Sequence, residues 1–237
     1  MVKATVIIPT TANPVLIKAL ESVKSQSIKT DIFLVCDGME NHHKLNELIY
    51  GSKLDNLHYL RLPYNVGGDG FYGHRTFAAI PHFINTDYLL FLDEDNWLEP
   101  NHVESLIGTV ENFGYDWAYS LRNIVDKDGI FVCKDDSESL GKYENCSMEN
   151  HIDTSCYLLR KHVAIQTSWA FNGKYGQDRI FYNVLRETFK YYDCSGKYTL
   201  NYRLDGNPKS VKKEFFLKGN EVMRQNYGEN YFNQWRK

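Results

Sequence analysis

Asp93 and Asp95 stand one residue apart behind an apolar run, residues 88–92, within Asp93-Glu94-Asp95-Asn96. Carboxylates at that spacing can share one hard divalent cation, with water and phosphate oxygens completing its shell. A diphosphate would be repelled by such a turn unless a cation stood between them. The cation would also stabilise charge developing on a departing phosphate. The competing reading is a polar strand-to-helix turn, because Asp, Asn and Pro100 are ordinary turn residues. A second candidate is Asn65-Val66-Gly67-Gly68-Asp69-Gly70-Phe71, where glycines permit close backbone approach ahead of a helix start that favours anions. Arg75, a turn further on, can reach a phosphate or brace Asp93, or it is simply solvated. Asp178 falls at the start of a late helix, where the dipole keeps a carboxylate ionised and Asp is a common first-turn cap.

The elements that must carry these residues alternate in type. Strand-like residues 4–8 lead to Asn13-Pro14, a helix start with a capping side chain and Pro at the first helical position. Val15, Leu16, Ala19, Leu20 and Val23 then recur at helical spacing. A strand at 32–36 breaks at Asp37-Gly38. A short helix around Leu45, Leu48 and Ile49 precedes a strand at 58–62, a helix over 71–84 and the strand 88–92. Another helix starts near Asn101. Such alternation implies βαβ units and a largely parallel sheet, whose ligands bind outside the carboxyl ends of the strands. In the second half, residues 117–125 and 130–133 flank a hairpin turn at Lys127-Asp128-Gly129. A strand at 156–159 and a helix at 177–189 follow. Beyond Gly196 the chain turns basic and aromatic. The expected layout is a nucleotide-binding half at 1–115, an acceptor half at 116–195 and a mobile basic aromatic tail at 196–237.

Composition bounds the function. The 237 residues are 43% apolar, enough for a full core, with 27 Lys and Arg against 30 Asp and Glu. A net charge of −3 argues against a nucleic-acid partner, which calls for a basic excess. The five cysteines are odd in number and lack the close pairs of a zinc site, which reads as reduced thiols in a cytoplasmic protein. The apolar stretch near the N-terminus is too brief for a signal peptide, and no run reaches the length of a membrane span.

Val6-Ile7-Ile8-Pro9-Thr10, the Ser22-to-Gln26 helix end, Leu34-Val35-Cys36-Asp37-Gly38 and Phe91-Leu92-Asp93-Glu94-Asp95-Asn96 occur in one order over the first half. Together they resemble the opening strand, "S-x-x-x-Q", "DDG" and "LDxDD" elements of inverting glycosyltransferase family 2. Asn65 to Phe71 resembles that family's "N-x-G-G-x-G-G-F" form. The resemblance implies an α/β fold of the GT-A type, Rossmann-like, with a mostly parallel central sheet and a smaller antiparallel sheet on the acceptor side. It also implies transfer of a sugar from a nucleotide-diphosphate donor, with UDP the commonest carrier, using Mn2+ or Mg2+. Carried over, Asp95 and Asp93 hold the metal, and Pro9, Thr10, Asp37, Gly67, Gly68, Arg75, Asp93 and Glu94 serve the donor. Asp178 inherits the base role of the family's "ED" pair, with Gln177 in place of Glu. Asp153 lines the acceptor pocket, acts as a rival base or caps a loop; Trp169 is assigned to the acceptor side. His151 is a further metal candidate. Arg203 and Lys209 belong to a loop that closes over the diphosphate. Cys36 and Asn96 depart from the family pattern.

The implied acceptor is a hydroxyl of a glycan or lipid-linked glycan, as in polysaccharide synthesis. The aromatic-basic stretch from 211 to 235 gives a peripheral membrane contact. Two alternatives remain. A non-catalytic nucleotide-sugar sensor would keep Asp37, Asp93 and Asp95 without needing Asp178. A haloacid-dehalogenase-like phosphatase also uses Asp-x-Asp, but on its first strand.

Overall fold

The computed structural model describes residues 2–52, 54–137, 152–204 and 211–228. Strands β1 (Ala4–Thr10), β2 (Thr30–Cys36), β3 (Leu57–Arg61) and β4 (Tyr88–Phe91) pair in parallel in the order β3-β2-β1-β4. β1 and β4 are covered on both faces, so they read as unbroken apolar runs without alternation. Val6 lies opposite both Ile32 and Leu90. That register brings the ends of β1, β2 and β4, and with them Thr10, Asp37 and Asp93, out on one edge of the sheet.

β4 continues antiparallel into β8 (Tyr157–Arg160), and β8 into β6 (Trp117–Val125). β6 runs parallel to β9 (Tyr192–Arg203), which takes the short β5 (Trp97–Leu98) on its far side. β7 (Phe131–Lys134) forms the expected hairpin with β6, turned by Gly129 at φ 83°. Among the described residues one nine-stranded sheet therefore carries both the parallel and the antiparallel parts. The helices are α1 (Leu16–Lys24), α2 (His42–Ile49), α3 (His74–Ala79), α4 (His102–Phe113), α5 (Lys161–Thr167), α6 (Gln177–Thr188) and α7 (Lys213–Tyr227).

Several elements differ from the pattern of the sequence. α1 begins at Leu16, because Asn13 spends its side chain on the Val15 N–H, 3.2 Å away, in a preceding turn. The helix expected over 71–84 is α only from His74 to Ala79. Asp69 and Tyr72, at φ 57° and 52°, delay its start. Pro81, in a 3-10 turn, cannot donate the bond that would extend it. Residues 196–203, expected in the tail, form the second half of β9. Leu200 is buried there, and the polar neighbours are satisfied: Thr199 Oγ1 lies 2.8 Å from His102 Nδ1, and Asn201 donates to Glu99 at 2.8 Å. α7 docks through buried Phe216 and Met223, and Asn220 bridges the Asp136 N–H and the Lys134 carbonyl at 3.0 and 2.7 Å.

The Ser22-to-Gln26 spacing has a structural use. Gln26 donates to the Glu99 carbonyl at 2.8 Å and accepts from the Val103 N–H at 3.0 Å, capping one of the unpaired donors at the start of α4. Ser22 Oγ accepts from the Leu98 N–H at 3.1 Å. α1 thus holds the segment that leaves the acidic turn.

Candidate active site

β4 ends in a tight turn closed by the Asn96 N–H on the Asp93 carbonyl at 3.1 Å. Burial pushes the Asp93 carboxyl well above the usual range, and the charges of Asp95, Asp153, Glu94 and Asp178 push it further. Asp95 is raised to about 6, first by burial and then by Glu94, with Arg203 opposing. Among the described residues no Lys or Arg comes within ion-pair distance of Asp93 or Asp95. Hard oxygen ligands under mutual repulsion suit a divalent cation. Among the described residues no three His, Cys, Asp or Glu side chains form a ready-made cage. The fit is therefore to an ion completed by water and ligand oxygens, as Mg2+ prefers.

Glu94, between the two, turns away from them. Its carboxylate accepts from the Thr10 hydroxyl, from the Thr11 hydroxyl at 2.9 Å and from the Asn13 N–H at 3.3 Å, bracing the loop that follows β1. Asp37 is buried and accepts from the Val66 and Gly67 N–H groups at 2.7 and 2.8 Å. Pro9 packs close to Gly73, where an added Cβ would meet its ring at 2.6 Å. Thr10, Asp37, Gly67 and the acidic turn thus share one end of the sheet. Gly68 follows at the start of a 3-10 turn and accepts from the Phe71 N–H at 3.3 Å. Arg75 does not brace Asp93: its guanidinium lies 3.4 Å over the Phe71 ring and donates to the Val66 carbonyl at 3.3 Å.

Asp178 sits in the first turn of α6, after Gly176 at φ 85°. Phe181, one turn on, stacks on Phe171 at 3.9 Å, and Phe171 meets Phe91 of β4 at 5.1 Å. This aromatic cluster fixes α6 against the strand that ends in Asp93, and the Asp178 charge is felt at Asp93. Asp153 is differently engaged. One oxygen takes Arg122 Nη1 at 2.6 Å and the other caps a 3-10 turn through the Ser155 N–H at 2.9 Å. Trp169 is exposed, its indole N–H on the Gln166 carbonyl at 3.0 Å. Arg203 ends β9: its N–H meets Asn96 Oδ1 at 3.0 Å, and its Nε donates to the Lys127 carbonyl at 2.9 Å. His151 and Lys209 lie outside the described residues.

The same fold recurs in known proteins. The chain superposes on Staphylococcus aureus TarS residues 1–349 in complex with UDP-GlcNAc with a TM-score of 0.66, at 16% identity over 94% of this chain and 65% of that one. The complex of the same protein with UDP gives 0.65 at 17% identity, over 94% and 63% of the two chains. An uncharacterized Haemophilus influenzae protein is 38% identical over 60 residues, 25% of this chain and 40% of that one. The chain thus spans less than two thirds of these relatives. The family model for glycosyl transferase family 2 matches residues 5–172. The chain belongs to glycosyltransferase family 2.

Membership in family 2, with the GT-A fold, gives the two departures from its motifs a physical meaning. Cys36 is fully buried, and burial raises its thiol pKa, so a neutral side chain stands before Asp37. Asn96 is buried where the family places an acid. It joins the turn to β9 through Arg203 and lies 3.5 Å from Ser155 Oγ through its amide nitrogen. Sequence reasoning missed Ser155 and Arg122 altogether. A signal existed for each: Asp153-Thr154-Ser155 has the spacing of an Asp-capped turn, and Arg122 is a lone ion inside a strand.

Proposed function

We propose that the protein is a metal-dependent, inverting glycosyltransferase that moves a sugar from a nucleotide-diphosphate donor, a UDP-sugar, to a hydroxyl of a glycan or lipid-linked glycan. One observation carries this reading: Asp93 and Asp95 stand buried at the carboxyl end of β4 with their carboxyls raised by burial and neighbouring charge, and among the described residues neither is ion-paired to a Lys or Arg. UDP and UDP-GlcNAc in the TarS structures support the choice of carrier.

Asp93 and Asp95 would hold Mn2+ or Mg2+, which supplies charge neutralisation of the diphosphate. Asp37 and the Gly67–Gly68 backbone would receive the nucleoside, since each Asp37 oxygen uses one lone pair on the loop and keeps another. Arg203 would add positive charge beside Asp95. Asp178 takes the proton of the acceptor hydroxyl as its oxygen bonds to the anomeric carbon. The bond from that carbon to the phosphate oxygen breaks as the new one forms, so the configuration inverts and the nucleoside diphosphate leaves. Asp153 is a poor rival base, because Arg122 already holds its charge.

Among the described residues no helix is long and apolar enough to cross a membrane. A peripheral contact from the cytoplasmic side is supported by α7, where exposed Phe215 and Leu217 stand among Lys213 and Lys218. Flotation with anionic vesicles tests it, and absence of binding removes it. The enzymatic reading is tested by incubating the protein with a panel of UDP-sugars and Mn2+ and following release of UDP. Metal-dependent release, lost in Asp178→Asn, supports an enzyme. Tight UDP-sugar binding without turnover would mark a sensor.

A further inference from the structure

We propose that Arg122 and Ser155 are positioning residues that hold the main chain of the acidic turn for its cation, a role that rests on the metal-site reading above. Arg122 is the one charged residue in the strand Trp117–Val125, and it is 2% exposed. Its guanidinium lies 4.5 Å from the Tyr202 ring and 5.3 Å from the Phe216 ring. Nε donates to Asp135 Oδ2 at 2.8 Å and Nη1 to Asp153 Oδ2 at 2.6 Å. Two carboxylates approaching from different directions require the planar fork of arginine, which a lysine ammonium lacks.

The relay continues from Asp153. Its second oxygen holds the Ser155 N–H at 2.9 Å and so fixes the main chain that carries the Ser155 hydroxyl. Ser155 Oγ accepts from the Asp93 N–H at 3.2 Å and lies 3.5 Å from Asn96 Nδ2. Both ends of the turn therefore meet at one buried oxygen. Asn96 in turn accepts from the Arg203 N–H at 3.0 Å, tying the same point to β9. Carboxylates that repel each other tend to spread the turn carrying them when no cation is bound. A backbone held by Ser155 resists that spreading. Because the positive charge of Arg122 stands behind Asp153, it orients the turn without neutralising the pair that takes the ion.

Partners of this kind, one step behind the metal ligands, change metal affinity about 10- to 100-fold when removed. The test is titration of Mn2+ into the full chain with UDP present, reading free Mn2+ by electron paramagnetic resonance. Ser155→Ala and Arg122→Lys are compared with Val110→Ala, a core truncation in α4 remote from the site, and Tm is recorded for all three. The expected result is a roughly tenfold weaker Mn2+ Kd in Ser155→Ala and Arg122→Lys, at Tm values no lower than that of Val110→Ala, which keeps the wild-type Kd. Should Arg122→Lys fail to fold, Ser155→Ala alone decides. A Kd within twofold of wild type in folded Ser155→Ala overturns the proposal, as does equal weakening in Val110→Ala. If the wild type itself binds no Mn2+ with UDP, the metal reading fails and this role falls with it, a result distinct from a wild type that binds and variants that match it.

Discussion

The Asp37 carboxylate and the Gly67 N–H lie 2.8 Å apart, joining the end of β2 to the loop after β3. Only glycine fits the second position. A Cβ there would stand 2.2 Å from the Tyr72 carbonyl and 2.8 Å from Asp37 Oδ2. What look in the sequence like two separate motifs, an Asp-Gly and a glycine-rich run, are one unit whose parts set each other's position.

Gly67→Ala should therefore push the loop off Asp37. Backbone atoms are the obstacle, so relief requires a main-chain shift, at a cost on the order of 1–3 kcal/mol in stability. UDP affinity should fall at least tenfold. Calorimetric titration and a thermal melt check both effects.

Asp178→Asn keeps the size of the side chain and removes its capacity to take a proton. Transfer should fall by a factor of about 100 to 10,000, the usual contribution of a general base. UDP-sugar affinity should stay within about twofold of wild type, since the role proposed for Asp178 is toward the acceptor hydroxyl. Retained turnover would move the base elsewhere.

The parallel half of the fold was legible because β1 and β4 are buried on both faces and its helices are amphipathic, so periodicity speaks plainly. The acidic turn, Asp37 and the glycine loop were legible as places, since strand ends are where such folds bind ligands. The partners of these residues were not. Glu94 sits inside the acidic motif yet serves the β1 loop. Arg75 spends its charge on Phe71, at 3.4 Å, instead of on Asp93. β9 hid because Thr199 and Asn201 break its apolar pattern, and only tertiary partners make them tolerable inside. Ser155 gave no sign beyond a turn, because its role comes from a contact 62 residues away.

Asp95 has a folded-state pKa of about 6, above its ordinary 3.8. A ligand must lose its proton to bind metal, so Mn2+ affinity should fall as the pH drops through about 6, where Asp95 takes up its proton, and the raised carboxyl of Asp93 acts in the same direction. An ordinary carboxylate site would hold its affinity down to roughly pH 4–5. Mn2+ titrations at a series of pH values distinguish the two courses.

The same shift has a stability consequence with a definite sign. A carboxyl whose pKa rises on folding binds its proton more tightly in the native state. The metal-free protein therefore loses stability as the pH rises from about 4 to 6 and stays lower above it. Asp95→Asn removes that cost, worth on the order of 2–3 kcal/mol. Its Tm at pH 7.5 without metal should exceed that of wild type by several degrees. Added Mn2+ with UDP should then raise the wild-type Tm and leave that of the variant unchanged.

The most direct measurement is calorimetric titration of UDP into the protein with Mn2+ and again in excess EDTA, repeated on Asp93→Ala/Asp95→Ala. If a cation joins the two aspartates to the diphosphate, chelation weakens UDP binding by a factor of about 100, near 2.7 kcal/mol. The double variant then shows the same weak affinity in both conditions. Equal UDP affinity of the wild type with Mn2+ and with EDTA would contradict the account.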